Sequence, residues 1–221
     1  MSKSYSIQKK LWKAYGKVAK KLGEDNQYLV YRSSTLSDPI VEGNWVATTP
    51  VSFSQDNAYN KAHDGGLSLW LCWIDGRLTD NFDLQQGDFV CDPDTESVYF
   101  IASAQRNLPI RAIKATSTIS VNRGGYTDGP NGYAPGDIQI AQNIPCWVED
   151  PGAGGGGLGY VPAGNYNADS VPTHKIYCWD PAGELQRRDA IVDQNGNRMQ
   201  ILNIDNSDMG TLVTATAYNA E

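Results

Sequence analysis

Histidine and closely spaced cysteines are scarce in this 221-residue chain, and this limits the metal chemistry open to it. His63 and His174 are the only imidazoles, and no two cysteines form a Cys-x-x-Cys pair. Because zinc sites take about four such ligands at short spacings, we expect no metal site and no cofactor. Buried reduced thiols are the simplest interpretation of the four cysteines, and disulfides are the alternative under oxidising conditions. The cysteines are Cys72, Cys91, Cys146 and Cys178.

Long apolar runs are also missing. No run approaches the ~20 residues that a membrane-spanning helix needs. The N-terminal residues include lysines but no apolar signal-peptide core, so we expect neither a membrane protein nor an export signal.

Familiar catalytic motifs are absent from the sequence. It contains no Gly-x-Ser-x-Gly and no His-Glu-x-x-His. Gly152, Gly154 and Gly157 match a dinucleotide-binding spacing by count, but a Pro-containing turn precedes them and no helix start follows. We therefore expect a protein that is not an enzyme. A carbohydrate hydrolase stays open as an alternative, because a glycosidase needs only a carboxylate pair.

Charge is divided unevenly along the chain. Residues 1–22 contain seven lysines and no acid, whereas the remainder contains 11 basic and 25 acidic residues, a formal charge of −14. An acidic body disfavours nucleic acid as a partner, except through the basic N-terminal arm. The arm could instead meet an acidic neighbour or the acidic body of another copy. Its candidate interface residues are Lys9, Lys13, Lys17 and Lys20.

Residues 5–22 are predicted to form a helix, with Gly23 as its C-terminal cap. Apolar residues recur at three- and four-residue steps, which places them on one face. Trp12 and Ala19 widen this stripe, and an ordinary packed stripe under a solvated lysine face is favoured over a membrane-surface helix. The predicted stripe consists of Ile7, Leu11, Tyr15, Val18 and Leu22.

The most strand-like part of the chain runs from Gly87 to Arg123. The turn residues 92–96 separate two apolar, β-branched segments, which predicts a hairpin. From Pro109 to Asn122 the apolar residues alternate but change parity, which we interpret as a bend or bulge of the kind that closes a small barrel. Residues 67–74 are apolar on both faces, as in a strand covered on both sides, and Trp70 and Trp73 are candidate contact residues there.

Twelve glycines lie between Gly124 and Gly164, so residues 124–172 are predicted to be interaction loops. Rigid aromatic residues spaced along flexible loops are typical of contact surfaces. The candidate interface residues in this segment are Tyr126, Tyr133, Trp147, Tyr160 and Tyr166.

The C-terminal residues 173–221 are predicted to form a four-strand β-meander, in which Asn195-Gly196 marks a hairpin turn. The fold class is therefore mainly β, with an N-terminal helix, a central small barrel or sandwich, a Gly-rich excursion and a C-terminal β block. The predicted domain boundaries are 1–23, 24–123, 124–172 and 173–221. No internal repeat of fixed period is visible.

Two segments resemble a known family. Lys13-Ala14-Tyr15-Gly16-Lys17-Val18-Ala19, then Leu22-Gly23, Tyr28 and Tyr31-Arg32, resemble the opening of tailed-bacteriophage structural proteins encoded among neck and tail genes. Residues 98–105 and 108–123 are similar to that family's central barrel hairpin. The resemblance covers residues 1–32 and 84–123, and the Gly-rich segment departs from it.

The resemblance implies a virion structural protein of the neck, collar or head–tail connection, assembled as a ring. Its partners would be portal, neck, tail or collar components, and it would reach the virion from the host cytoplasm. In such a ring the basic arm of one copy would dock on the acidic body of the next. A receptor- or glycan-binding tail or collar protein is the alternative, because tryptophan faces stack on sugar rings.

Overall fold

The computed structural model describes residues 3–22, 27–55, 67, 69–79, 82–105, 107–129, 132–149 and 173–217. The chain divides into two compact units, and each contains one closed six-stranded barrel. The mainly β fold with one N-terminal helix is therefore confirmed. The first unit comprises Met1–Ser34, Pro39–Ala62 and Ser68–Ala115. The second unit comprises Thr35–Asp38, His63–Leu67 and Thr116–Glu221.

The first unit holds the helix and the first barrel, barrel 1. Helix α1 spans Lys3–Leu22, as the apolar spacing predicts, and a single 3₁₀ turn, Glu42–Asn44, precedes the second strand. Every strand pairing around barrel 1 is antiparallel. The strands are β1 Gln27–Tyr31, β2 Trp45–Gln55, β3 Leu69–Ile74, β4 Phe89–Cys91, β5 Val98–Ser103 and β6 Arg111–Lys114, in the closed order β1-β2-β3-β6-β5-β4.

The second unit holds barrel 2. Three consecutive strands, β10 to β12, form the predicted C-terminal meander, whereas β9 pairs with β12 and not with β10. The barrel is completed by two long strands from the Gly-rich segment. Its strands are β7 Ser117–Gly129, β8 Gly132–Val148, β9 Thr173–Cys178, β10 Ala190–Asp193, β11 Arg198–Ser207 and β12 Gly210–Ala217, in the closed order β7-β8-β9-β12-β11-β10.

One domain boundary and one predicted loop are wrong. The boundary at residue 123 falls inside β7, and residues 132–148 form a strand where we expect a loop. Glycine count misled here because Gly124 and Gly125 pair with the backbone of β8 and leave the ladder intact. The rest of the expected excursion, from residue 150 to 172, lies outside the described residues.

The parity change between Pro109 and Asn122 also has another cause than a bulge. Ala112 in β6 belongs to the core of barrel 1, whereas Ile119 and Val121 in β7 belong to the core of barrel 2. The units meet in sequence at Ala115 and Thr116. The alternation is therefore reset where one barrel ends and the next begins.

The two barrels are structural repeats of each other. Their strand orders are the same when read along the chain. Val30 lies opposite Val90 in barrel 1, and Val121 lies opposite Ile191 in barrel 2. The register also shifts at the same place, after Ile101 in β5 and after Ile201 in β11. These correspondences assign an equivalent residue in barrel 2 to most strand positions of barrel 1.

An arginine–aspartate pair recurs at the same position in both repeats. In barrel 1 the Arg32 Nε and Nη2 groups donate to the two Asp88 carboxylate oxygens at 2.7 and 2.8 Å. In barrel 2 the same groups of Arg123 donate to Asp189, both at 2.8 Å. Each aspartate side chain is almost fully buried, and the two charge-assisted hydrogen bonds from the arginine compensate for the loss of water around its carboxylate.

The backbone around each pair is also the same. The Gln85 N–H donates to Asp88 Oδ2, and the Gln186 N–H donates to Asp189 Oδ2, both at 2.8 Å. Both arginines also donate through Nη2 to a backbone carbonyl, of Asp83 and Glu184 respectively, at 2.8 Å. The sequence shows no repeat of fixed period, and the repeat that the structure reveals has a period that varies with loop length.

Candidate subunit interface

Helix α1 is fixed to barrel 1 by a tight contact. The Trp12 ring lies so close to Gly76 that a Cβ there would sit 2.4 Å from it. A Cβ on Gly16 would likewise come within 2.9 Å of the Asp75 Cβ. Tyr15 adds an edge-to-face contact with Trp73, with ring centroids 5.5 Å apart. Glycine at positions 16 and 76 therefore sets how closely the helix approaches the barrel.

The buried face of α1 differs from the predicted stripe. The buried side chains are Gln8, Trp12 and Ala19. Ile7 is 53% exposed and Leu22 is 64% exposed, so the ends of the predicted stripe stay in solvent. Apolar spacing alone predicts the wrong face. The face that packs on the barrel is set by Trp12 and by the small residues Gly16 and Ala19, which allow the close approach.

Most of the lysines on α1 remain in solvent. Lys9 is half-buried, and the other described lysines after it are exposed. The last turn carries Lys20 and Lys21, whose charges complement the helix dipole. The exposed ones are Lys10, Lys13, Lys17, Lys20 and Lys21.

Three predicted contact tryptophans pack within their own units. Trp70 faces the interior of barrel 1, 6.0 Å from Tyr99 between ring centroids. Trp73 lies beneath Tyr15 and donates through Nε1 to Ser54 Oγ at 3.0 Å. Trp147 is only 8% exposed. Each therefore has a packing role in its own unit, and the assignment of these tryptophans to a subunit interface stays a prediction.

The predicted tyrosines are in two groups. Tyr126 and Tyr133 lie in β7 and β8, where their backbones pair with Pro135 and Asp128, but their side chains are outside the described part. Tyr160 and Tyr166 lie outside the described residues altogether.

Barrel 1 has an exposed apolar surface that the sequence analysis did not predict. Trp45 is 52% exposed and Phe82 is 46% exposed, and Val41 is exposed as well. Val30 pairs with Ala47, but Tyr31 pairs with Trp45, so the register slips by one residue at Val46. Such a slip turns Trp45 away from the barrel interior.

Arg32 connects the two aromatic residues of this surface. Its backbone N–H donates to the Asn44 carbonyl at 2.8 Å, next to Trp45. Its guanidinium lies 5.8 Å from the Phe82 ring centroid, at a distance typical of cation–π contacts. Asp88 neutralises Arg32, and Asp83 lies opposite Arg77 in an antiparallel bridge. Glu42 is exposed beside Val41 and adds a negative charge at the edge of the surface.

All four cysteines are free thiols and all are buried, so the alternative of disulfides among them is not formed in this structure. Burial raises the pKa of both the Cys91 and Cys178 thiols to about 12. It also raises the pKa of Cys72 and of Cys146. These thiols are protonated at neutral pH and shielded from oxidants.

Described carboxylates at turns serve the turns themselves. Burial alone would raise the pKa of Asp193, but hydrogen bonds from Asn197 and Asn195 lower it. The pKa of Asp38 is lowered by hydrogen bonds from the Asn143 and Gln142 side-chain amides. These hydrogen bonds give Asp38 and Asp193 a structural role in their turns.

Within the described ranges, no group of three or more His, Cys, Asp or Glu side chains could hold a metal ion. In the same part of the chain, no helix combines the length and apolar character required to cross a bilayer. Comparison with protein-family models, curated proteins and solved structures finds no match to this chain.

Proposed function

We propose that this protein is a structural subunit of a tailed-bacteriophage virion, which forms a multimer in the neck, collar or head–tail connection. The observation that carries the proposal is the exposed surface of α1. That helix is already fixed to its own barrel through Trp12, yet it presents Ile7, Leu22 and five lysines to solvent. The remainder of the chain is acidic, so another copy offers a complementary surface.

The mass and symmetry of the purified full-length protein test this proposal. We expect native mass spectrometry to find a closed multimer, and electron microscopy to find rings of one symmetry. Weakening of the multimer between 50 and 500 mM salt would reflect the charged contacts. A monomer at every concentration and salt would contradict the proposal.

Truncation is a poor test of this idea. Removing residues 1–22 would uncover the barrel surface around Gly76 and Trp73, which α1 covers. Loss of assembly would then be confounded with loss of stability. Substitutions confined to exposed side chains avoid this problem.

Glycan binding is a second candidate, and the exposure of Trp45 and Phe82 favours it. Aromatic faces open to solvent are suited to stacking on sugar rings, whereas the expected platform residue Trp147 is buried. Binding on a glycan array that is lost with Trp45→Ala and kept with Trp147→Phe would favour this function. Turnover of purified cell wall, abolished by one carboxylate substitution, would instead favour a carbohydrate hydrolase.

A further inference from the structure

Helix α1 carries a second apolar stripe that remains partly exposed. We call it the outer stripe: Ile7, Leu11, Ala14, Val18 and Leu22. Its spacings of four, three, four and four residues place all five side chains on one helical face. Ile7, Ala14 and Leu22 are exposed, and Leu11 and Val18 are half-buried. A helix that packs on one barrel alone needs only one apolar face, so the outer stripe fits a second contact.

Lysines accompany the outer stripe along its length. Lys10, Lys17 and Lys21 are exposed and follow stripe residues by three positions, which places them beside it. Two α1 helices packed stripe to stripe would bring lysines together without any acid, since residues 1–22 contain none. Like-charge repulsion therefore disfavours a symmetric helix pair, and the partner should be apolar with an acidic border.

Barrel 1 presents a surface of that kind. We call Val41, Trp45 and Phe82 the aromatic patch. The Arg32 guanidinium lies over the Phe82 ring, and the Arg32 N–H donates to Asn44, the residue before Trp45, so Arg32 links the two segments that carry the patch. Glu42 is exposed beside Val41, and Asp83 follows Phe82. Large aromatic residues such as these supply much of the binding energy of protein interfaces.

We infer that the outer stripe of one copy packs on the aromatic patch of the next copy; this inference rests on the proposed assembly. Both surfaces are exposed in a single chain, so neither is occupied by the other. Two different patches that bind each other make a head-to-tail contact, which closes into a ring when the rotation between copies is suitable. The lysines would then face Glu42 and Asp83 across the contact.

An anionic membrane is the competing occupant for a lysine-flanked apolar stripe. Membrane-surface helices usually turn an aromatic residue into the lipid interface. On α1, Trp12 and Tyr15 both contact barrel 1, and the side chain of Tyr5, the other aromatic residue of the helix, is outside the described part. The body is also acidic and would be repelled by anionic lipid. These features favour a second copy.

Complementation between two full-length variants tests the contact. The stripe variant carries Ile7→Asp and Leu22→Asp, and the patch variant carries Trp45→Ser and Phe82→Ser. Each has one intact surface, so each alone should be monomeric, with self-association weakened about 100-fold or more. An equimolar mixture should stop at a one-to-one dimer in native mass spectrometry. The matched control, Ile138→Ser with Leu202→Ser on barrel 2, alters similarly exposed residues and should keep the wild-type mass.

The outcomes separate this inference from the proposed function. Monomeric wild-type protein would end both. Multimeric wild-type protein with a stripe or patch variant that still assembles, or with no mixed dimer, would overturn this contact alone. Flotation of wild-type protein with vesicles of anionic phospholipid, lost in the stripe variant, would assign the stripe to lipid and also overturn it.

Charge reversal provides a second test if an apolar variant fails to fold, as judged by circular dichroism. Lys10→Glu with Lys17→Glu should weaken assembly at least tenfold, because both side chains face acids in the proposed contact. Adding Glu42→Lys to the same chain should restore part of that loss. Assembly that is unchanged by the lysine reversals would contradict the proposed contact.

Discussion

Barrels 1 and 2 have the same strand order, but different types of side chain fill their cores. In barrel 1 the Phe53 and Tyr99 rings stack with centroids 3.7 Å apart, and Tyr28 meets Phe53 edge-on. The equivalent residues in barrel 2 are Val148, Met199 and Ile119, by strand register. Strand order and the arginine–aspartate pair are therefore kept while the packing changes, which indicates that they define the fold more than any core residue does.

The outer surfaces differ even more. Six residues that lie opposite one another on successive strands surround barrel 1, and all are apolar or aromatic: Trp45, Tyr31, Phe89, Phe100, Ile113 and Leu69. The equivalent residues around barrel 2 are polar or small: Gln139, Asn122, Ala190, Gln200, Thr216 and Thr173. On barrel 1, Leu69, Phe89, Phe100 and Ile113 are buried, whereas Trp45 is 52% exposed.

The largest expected effect tests this outer difference. Phe100→Ala removes a fully buried ring and should lower the free energy of unfolding by about 3–5 kcal/mol. Gln200→Ala at the equivalent position of barrel 2 changes a partly exposed side chain and should cost under about 1 kcal/mol. Urea denaturation measures both, and equal losses would refute the contrast between the surfaces.

The next effect should be the same in both barrels. Asp88→Ala and Asp189→Ala each leave an arginine and a glutamine N–H without their acceptor. Because the arginines are partly exposed, we expect each change to cost about 2–3 kcal/mol, less than a fully buried pair. Hydrogen exchange resolved by strand should report the loss in the matching barrel. A loss in one barrel only would show that the pair is not a shared fold element.

Alkaline pH should lower the stability of both barrels through their buried thiols, because burial raises the pKa of all four. An unfolded cysteine ionises near pH 8.5, whereas burial holds the pKa of Cys178 at about 12. Its stabilising effect is therefore complete below the unfolded value and is lost as pH rises towards the folded one. Above pH 9 the loss approaches ~1.4 kcal/mol per pH unit for this group. Cys178→Val should remove the contribution of this one thiol and so reduce the alkaline slope, while the other three buried thiols still contribute. An unchanged pH profile of urea denaturation would contradict the assignment.

The smallest effect concerns one backbone position. Arg188 has a φ of 74°, and its equivalent in barrel 1 is Gly87, with a φ of 86°. Arg188→Gly should relieve strain and raise the free energy of unfolding slightly, by about 1 kcal/mol or less, as measured by urea denaturation. Gly87→Ala, the matched change in the opposite direction, should lower it by a comparable amount. A stabilising Gly87→Ala would show that the two turns are not equivalent.

Much of the secondary structure follows from the sequence, because its signals are local. The helix over residues 5–22 and the hairpin across residues 92–96 are both confirmed. Strand β3 has its two apolar faces as predicted, with Cys72 and Ile74 in the barrel interior. Turn residues and alternation determine these elements without help from distant parts of the chain.

The repeat was not predicted, although a signal for it is present. Leu84-Gln85-x-x-Asp88 recurs as Leu185-Gln186-x-x-Asp189, with the second aspartate 101 positions after the first. The paired arginines, Arg32 and Arg123, are only 91 positions apart. Since the spacing changes and the core residues are replaced, a search for one fixed period cannot find the repeat.

The candidate interface was only partly predictable. The exposed lysines follow from the charge pattern, but the face of α1 that packs on the barrel depends on Gly76, far away in sequence. The exposure of Trp45 depends on a one-residue register slip at Val46. Neither the helix contact at Gly76 nor the register slip at Val46 can be recognised from the neighbouring residues. Local patterns therefore could not predict which face of α1 is buried or that Trp45 is exposed.

Two copies of one topology in a single polypeptide create a hazard during synthesis. While β4 and β5 are newly formed, their edges match the hydrogen-bond register that β10 and β11 later occupy. Neighbouring domains of like topology are prone to exchange strands and misassemble. A strand that carries Phe89 or Phe100 would bring a bulky ring where Ala190 or Gln200 belongs, which penalises the exchanged product. The difference between the two sets of residues therefore disfavours strand exchange between the barrels. Substitutions that make the two surfaces alike should reduce the yield of refolding before they reduce the free energy of unfolding.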